Sequence, residues 1–111
     1  MLQQDALIIA RQYITNLNNA GIVIYKAYLF GSYARNQARE DSDIDILLVS
    51  DAFDTDDDVI LSKPWSPKYR KDYRIEPISV GKKRFQTDEE SIILNVVRNE
   101  GVEIRVSGGG A

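Results

Sequence analysis

Two features of one stretch, residues 29–49, could do chemistry together. An apolar run stops at Gly31-Ser32, and Asp43 and Asp45 then stand two apart within a second apolar run. A glycine lets a phosphate approach the backbone closely, and the serine hydroxyl and the outward N–H groups of such a turn donate hydrogen bonds to it. Residues two apart in a strand share a face, about 7 Å apart along the backbone, so both carboxylates can hold Mg²⁺ against phosphate oxygens.

Each feature alone has an ordinary structural explanation. A Gly-Ser turn is common in loops, and an Asp-x-Asp pair often marks a half-buried strand whose polar face meets water. Here a strand, a Gly-Ser turn, a short helix and a two-aspartate strand follow one another in order. That order favours a phosphate and metal site over two unrelated local structures.

The spacing of apolar and turn residues predicts a chain of the α/β (α+β) class without internal repeats. The first helix is expected to stop at Gly21, and the last helix to open with a capping box of Thr87 and Glu90 and to end at Gly101. The predicted order is a helix at Gln3–Ala20 that buries Ala6, Leu7, Ala10, Ile14 and Leu17, a strand at Ile22–Phe30, a short helix through Ala34–Ala38 capped by Ser32, a strand at Asp43–Val49, an irregular insertion at Asp51–Asp72, a strand at Tyr73–Val80, a helix that buries Ile92, Ile93, Val96 and Val97, and an edge strand at Val102–Val106.

Gly31-Ser32, ten intervening residues and then Asp43-x-Asp45 resembles the signature of the DNA polymerase beta type nucleotidyltransferase superfamily. The length of 111 residues, with the motif near the start, is similar to that of the minimal nucleotidyltransferases. The resemblance runs from the first helix to about Glu103, although only the motif region is specific. It implies a nucleotidyltransferase fold over residues 1–106, with a small mixed β-sheet and flanking helices. It also implies a site of three carboxylates and two Mg²⁺ ions that transfers a nucleotidyl group from a nucleoside triphosphate, with ATP as the family's default donor.

The third carboxylate implied by the resemblance is expected on a later strand, and Glu76 is the candidate. Family members usually have aspartate there, and a displacement of about 1 Å can cost on the order of a hundredfold in rate. As an alternative, Glu76 is an ordinary solvent-facing strand residue, with Pro77 marking an edge or a bulge. A second departure from the family is Asn36, where glycine is frequent; asparagine tolerates left-handed backbone better than most residues.

The resemblance assigns metal binding and catalysis to Asp43, Asp45 and Glu76. It assigns nucleotide binding to Gly31, Ser32, Arg35 and Ser42. Arg35 and Arg39 are predicted to lie on the helix after the turn, where a guanidinium could reach phosphate, although surface arginines are more often only solvated.

Composition limits the other possibilities. The chain has no histidine and no cysteine, which excludes His-based triads, cysteine nucleophiles and Cys/His zinc sites. With 43% hydrophobic residues, one core can bury roughly two-thirds of the surface on folding, and no second domain is expected. A polar start, the lack of a long apolar stretch and the absence of cysteine predict a cytoplasmic protein without a membrane span. Residues 107–111, a Gly-rich tail, are predicted to be disordered.

The insertion carries both signs of charge. Its acidic cluster, at residues 54–58, lacks the glycine and glutamate that a calcium-binding EF-hand loop requires, so a solvated loop is expected. Basic residues interleaved with aromatics follow from Lys63 to Arg84. These could bind an acidic partner or nucleic acid, or they could form a solvated hairpin whose side-chain stems pack on the protein. A net charge of −3 makes nucleic acid less favoured than the solvated hairpin.

Three functions of different classes follow. The resemblance to minimal nucleotidyltransferases implies an antitoxin that transfers AMP to a hydroxyl of a HEPN-domain toxin. The second is a nucleotide-binding and protein-interaction module that transfers poorly because of Glu76. The third is transfer to a small hydroxylated molecule, which in the family normally requires a further helical domain.

Overall fold

The computed structural model describes residues 1–106 as a four-stranded mixed sheet with helices on both faces. The predicted disordered tail lies outside the described residues. No helix among these 106 residues is both long and apolar enough to cross a membrane. The elements are α1 (Gln3–Asn19), β1 (Lys26–Phe30), β2 (Ile44–Ser50), α2 (Asp58–Ser62), β3 (Ile75–Gly81), α3 (Lys82–Thr87), α4 (Ile92–Glu100) and β4 (Val102–Glu103), with single 3₁₀ turns at Asp51–Phe53 and Lys63–Trp65.

The sheet has the strand order β3-β2-β1-β4. β1 is antiparallel to both β2 and β4, whereas β2 and β3 are parallel. A parallel pair needs a crossover connection, and the insertion between β2 and β3 provides it with α2 and the two 3₁₀ turns. β3 is an edge strand, which explains how Pro77 is accommodated in it.

The sheet separates two apolar clusters because alternate side chains of β2 point to opposite faces. Ile44, Ile46 and Leu48 pack with the buried face of α1. Leu47 and Val49 pack on the other face with residues of α4. Asp45 lies on the same side as Leu47 and Val49, so the cluster under α4 ends in a carboxylate at one end of the sheet.

The predicted position of helix α1 is confirmed to within a residue. It ends at Asn19, and Gly21 follows with φ +88°. Of the residues predicted to be buried, Leu7 is only half-buried, whereas Tyr13 is buried although it was not predicted to be. Its hydroxyl donates a hydrogen bond of 2.7 Å to the carbonyl of Pro64, which ties the helix to the insertion.

The prediction that β1 begins at Ile22 is wrong, because the strand begins at Lys26. Lys26 is opposite Val49, and β2 ends one residue later, so residues before Lys26 have almost no partner strand. A side chain provides a hydrogen bond to the backbone of this segment instead, since the Asn18 Oδ1 accepts from the Ile24 N–H at 2.9 Å. Two other strands are also shorter than predicted at one end, with β3 beginning at Ile75 and β4 ending at Glu103.

The prediction that Thr87 and Glu90 form a capping box is also wrong. Thr87 is the last residue of α3, a short helix that the sequence did not predict, and α4 begins only at Ile92. Ser91 is the N-cap, and its Oγ accepts from the Leu94 N–H at 3.3 Å. The shift rotates the buried face: Leu94 and Val97 are buried, whereas Ile92 is 84% exposed.

Candidate active site

The segment after β1 forms a single turn, Gly31–Asn36, and not the predicted helix through Ala38. Asn36 has φ +56°, which a helix interior does not tolerate. The Gln37 N–H donates to the Ser32 carbonyl at 2.9 Å and the Asn36 N–H to the Tyr33 carbonyl at 3.3 Å, the bonding pattern that ends helices at a left-handed residue. Asn36 therefore adopts the left-handed backbone conformation that it was predicted to tolerate, and this conformation ends the helical turn.

The start of this turn leaves donors free. Within the described residues, the backbone N–H groups of Ser32, Tyr33 and Ala34 donate to no backbone carbonyl. The Tyr33 ring is buried in the cluster under α1, and the Gln3 amide donates to the Tyr33 and Ala34 carbonyls at 3.0 and 3.2 Å. The turn is thus fixed from below while its N–H groups stay available to an anion.

Gly31 connects the turn to the carboxylates. Its φ of +73° belongs to the left-handed region, where a side chain is disfavoured. A Cβ at this position would also overlap the Asp45 Oδ2. Gly31 is therefore required twice, once for the backbone turn and once for the space that Asp45 occupies.

The three predicted carboxylates lie together. Asp45 and Glu76 are direct partners in the parallel register of β2 and β3. Asp43 precedes β2 by one residue, is exposed, and lies within hydrogen-bonding reach of Glu76. The sequence placed Asp43 inside the strand, whereas the strand begins at Ile44. That the three bind metal and act in catalysis stays a prediction.

The closeness of these carboxylates raises the pKa values of two of them. Burial, then the charges of Glu76 and Asp43, raises the pKa of Asp45 to about 6, with Arg35 acting in the opposite direction. Desolvation and the adjacent Asp43 also raise the pKa of Glu76, although most of this side chain meets solvent, and Arg70 opposes the rise. The sheet therefore holds like charges together, and Arg35 and Arg70 offset their repulsion only in part.

This donor set fits Mg²⁺ by its chemistry, because hard divalent cations prefer carboxylate oxygens and would relieve the mutual repulsion. Asp45 is only half-buried, so part of its side chain meets solvent. As the side chains stand, no group of three or more acidic residues in positions 1–106 converges closely enough to enclose an ion. Small side-chain rotations toward a bound ion would therefore be needed.

The remaining predicted nucleotide ligands surround the turn. Arg35 is exposed, and its Nη1 pairs with Glu100 Oε1 at 3.0 Å at the end of α4. The Ser42 Oγ accepts from the Arg39 N–H at 2.7 Å, so its nearest contact is within its own loop. Neither arginine lies on a helix, contrary to the prediction, because the turn ends at Asn36.

Arg70 is a site residue that the sequence did not single out from the other basic residues. Its Nη1 donates to the Tyr73 carbonyl at 2.8 Å and to the Ile75 carbonyl at 3.3 Å, directly before Glu76. Its guanidinium also lies 5.1 Å from the centre of the Trp65 ring. A local sequence signal was the alternation of basic and aromatic residues, but only the crossover connection brings this segment to β3.

A mixed sheet that brings acidic side chains of neighbouring parallel strands next to an anion-accessible backbone turn is the arrangement of the nucleotidyltransferases as a class. Residues 10–107 match the family model of the nucleotidyltransferase domain, so the chain belongs to that family and is a nucleotidyltransferase. A comparison with curated proteins gives no match.

Solved structures share the fold. A protein of Sulfolobus solfataricus classed with the nucleotidyltransferases is 20% identical, with a TM-score of 0.65 over 91% of this chain and 80% of its own. A toxin–antitoxin structure with AMP-PNP is 22% identical, with a TM-score of 0.59 over 89% and 74%. A mutant of the MntA–HpeT toxin–antitoxin is 21% identical, with a TM-score of 0.53 over 87% and 73%. At these identities the likeness establishes the fold alone.

Proposed function

We propose that this chain transfers AMP from ATP to a hydroxyl group of a partner protein, as the antitoxin of a HEPN-type toxin. The observation that carries the proposal is the direct pairing of Asp45 with Glu76, beside a glycine whose missing side chain makes room for Asp45. The toxin–antitoxin character of two structural neighbours, one of them with AMP-PNP, supports the choice of partner and donor. Since ATP and Mg²⁺ are cytoplasmic, we place the activity there.

In this proposal the N–H groups of the Gly31–Asn36 turn and the Ser32 hydroxyl bind the triphosphate, and Arg35 and Ser42 complete the phosphate contacts. Exchange of Glu100 for a phosphate oxygen would let Arg35 turn onto the nucleotide, since their ion pair is half-exposed and easily broken. Each charge-assisted contact orients the α-phosphate for attack.

Asp43, Asp45 and Glu76 would hold two Mg²⁺ ions, which supply Lewis-acid stabilisation of the phosphate charge and lower the pKa of the attacking hydroxyl. The acceptor oxygen forms a bond to the α-phosphorus as the bond from that phosphorus to the bridging oxygen breaks, and pyrophosphate leaves. Glu76, which is exposed on the edge strand, takes the acceptor's proton.

Intact mass spectrometry tests the transfer. A HEPN-domain protein from a gene adjacent to that of this chain, incubated with the chain, ATP and Mg²⁺, is expected to gain the mass of AMP. The Asp43→Asn, Asp45→Asn variant is expected to leave the mass unchanged. No added mass with the wild-type chain would contradict the proposal.

A catalytically weak nucleotide-binding module is the second candidate, favoured by one observation. Glu76 is exposed and has one more methylene than the family's usual aspartate, so its carboxylate can be held less firmly. Glu76→Asp discriminates between the two functions. A large gain in transfer would identify the wild-type chain as a weak enzyme, whereas no gain would remove the reason for this candidate.

A further inference from the structure

We propose that Gln3, the first residue of α1, is a positioning residue for the triphosphate, because its amide orients the backbone N–H of Ala34 toward the phosphate that binds at the turn of residues 31–36. This inference rests on the proposed function, and it gives the start of α1 a role in nucleotide binding. Gln3 acts through the backbone of the turn and touches no reacting atom.

The turn presents its donors because the opposite side of each peptide is held. The peptides of this turn are trans, and in a planar trans peptide the carbonyl and the N–H point in opposite directions, so a contact that fixes one orients the other. The Gly31 carbonyl accepts from the Arg35 N–H at 3.2 Å and the Ser32 carbonyl from the Gln37 N–H at 2.9 Å. The N–H groups of Ser32 and Tyr33, which belong to those same two peptides, are therefore oriented by the backbone of the turn itself.

The third peptide, between Tyr33 and Ala34, is held by another element. Its carbonyl accepts a bond of 3.0 Å from the Gln3 Nε2, which is shorter than the 3.3 Å bond from the Asn36 N–H. The same Nε2 donates to the Ala34 carbonyl at 3.2 Å, and no backbone N–H in positions 1–106 donates to that carbonyl. Two successive carbonyls thus point toward Gln3, and the N–H of Ala34 points away from it.

The start of α1 is a firm support for this contact. The Asp5 Oδ2 accepts from the Leu2 N–H at 3.0 Å, and Ala6, three residues after Gln3, is fully buried in the cluster under α1. Tyr33 belongs to the same cluster and is 1% exposed. Since both partners of the contact are anchored, the turn is held in one geometry before a nucleotide arrives, which lowers the entropy cost of binding.

The bonds from Gln3 also strengthen the Ala34 N–H as a donor. A carbonyl that accepts hydrogen bonds polarises its peptide, which makes the N–H on the other side a better donor. A bond from this N–H to a phosphate oxygen is assisted by the phosphate charge and is roughly twice as strong as a neutral one. We therefore expect loss of the Gln3 amide to weaken binding of the triphosphate without moving the three carboxylates.

The variant Gln3→Met tests the proposal, since it removes the amide and keeps an unbranched side chain of similar helix propensity. Calorimetry is expected to show binding of ATP with Mg²⁺ that is about tenfold weaker than in the wild type, because a hydrogen bond to a charged group is lost. In a proton–nitrogen NMR correlation spectrum, the Ala34 N–H signal of the wild type is expected to move downfield on addition of ATP with Mg²⁺. In Gln3→Met this movement is expected to be much smaller.

The matched control is Gln4→Met, the same substitution at the next residue of the helix. Gln4 is exposed, whereas Gln3 is half-buried against the turn. This variant is expected to bind ATP and to move the Ala34 signal as the wild type does, and thermal unfolding checks that both variants are folded. Unchanged affinity in Gln3→Met, an equal loss in both variants, or a loss of affinity with the full movement of the Ala34 signal would each overturn the proposal.

Kinetics separate positioning from a merely structural role. A smaller folded fraction lowers the apparent kcat and leaves the KM for ATP unchanged, whereas loss of a binding contact raises KM and largely keeps kcat. We expect the second pattern when Gln3→Met transfers AMP to the HEPN-domain protein. A lower kcat at an unchanged KM would refute the positioning role.

Failure here is distinguishable from failure of the proposed function. A wild-type chain that binds ATP with Mg²⁺ but transfers no AMP would refute the transfer, while the calorimetry and the Ala34 signal would still decide the role of Gln3. Transfer by the wild type with the same KM for ATP in Gln3→Met would refute the positioning role alone. A wild-type chain that binds no ATP would refute both.

Discussion

Gly31 is the residue on which the turn at residues 31–36 and the carboxylates both depend, and Gly31→Ala tests this. The new Cβ would overlap the Asp45 Oδ2 and would place alanine at φ +73°. We expect a loss of about 1–2 kcal/mol in the free energy of unfolding from the backbone alone. We also expect a fall of about a hundredfold in transfer rate, because Asp45 must move. Urea unfolding and the transfer assay measure the two effects.

The chain offers a matched control in Gly21→Ala. Gly21 has φ +88°, but a Cβ there would meet nothing within 4 Å. This variant pays the backbone strain without touching a carboxylate, so its transfer rate is expected to stay near that of the wild type. Equal transfer rates in the two variants would mean that the contact between Gly31 and Asp45 has no role in the site.

The raised pKa of Asp45 makes a prediction about stability and pH. Because the folded protein holds this proton up to about pH 6 while the unfolded chain releases it near the ordinary value of 3.8, the free energy of unfolding falls as pH rises through that window. Since Asp45 is only half-buried, solvent screening reduces its share to about 1 kcal/mol. Thermal unfolding of the metal-free protein between these two pH values measures the slope.

Asp45→Asn isolates that share of the slope, because the other carboxylates titrate in both proteins. The variant is expected to lose less stability than the wild type as pH rises from 4 to 6. Added Mg²⁺ is expected to stabilise the wild type more at pH 7 than at pH 5, since protons compete with the cation. A wild-type slope no steeper than that of the variant would show that Asp45 titrates normally.

At this scale the sequence predicted that Glu76 would lie on a strand beside Asp45, which the register confirms, and it missed contacts that depend on distant packing. The spacing of Asp43 and Asp45 indicated one shared face, and Glu76 is in register with Asp45. Arg70 was missed because its contacts with Trp65 and Ile75 depend on how the insertion folds back on β3. Spacing along a strand is local information, whereas these contacts are made across the crossover.

Capping residues decide where the helices near the site begin and end. The N-cap of α4 is an example. Ser91 caps the helix through its contact with Leu94, whereas Thr87 bonds through Oγ1 to the Lys83 carbonyl within α3. Ser91→Ala is therefore expected to cost about 1 kcal/mol of stability. Thr87→Ala, the residue favoured by sequence, is expected to cost clearly less. Urea unfolding of both variants compares them, and a larger loss at Thr87 would restore the predicted helix start.

The element boundaries that sequence missed have a common cause. β1 begins at Lys26 because β2 ends one residue after Val49, the partner of Lys26. Helix α3 forms where Phe85 stacks on Tyr28 of β1 with ring centroids 5.6 Å apart. Neither partner is near in sequence. The interiors of β2 and α1 were predicted well because the spacing of their apolar residues indicates the type of element. The ends of elements were predicted poorly where they depend on a partner distant in sequence.

At the scale of the whole molecule, the sheet is the layer shared by both apolar clusters, so we expect residues 1–106 to unfold as one cooperative unit. Ile46 is buried in the cluster under α1 and Leu94 in the cluster under α4. Each alanine variant, Ile46→Ala and Leu94→Ala, is expected to lose about 2–5 kcal/mol of unfolding free energy. Far-ultraviolet circular dichroism and Trp65 fluorescence during urea unfolding are expected to give coincident transitions in both.

Ile92→Ala serves as the control, since Ile92 is on the same helix as Leu94 yet is 84% exposed, and a change of no more than about 0.5 kcal/mol is expected. Separate transitions in Leu94→Ala, with circular dichroism changing before Trp65 fluorescence, would mean that α3 and α4 detach from a sheet that stays folded. In that case the Arg35–Glu100 pair would open with the helices, and α4 would act on the turn at residues 31–36 as a movable element. Coincident transitions would instead mean that α4 separates from the sheet, and Arg35 from Glu100, only when the whole sheet unfolds.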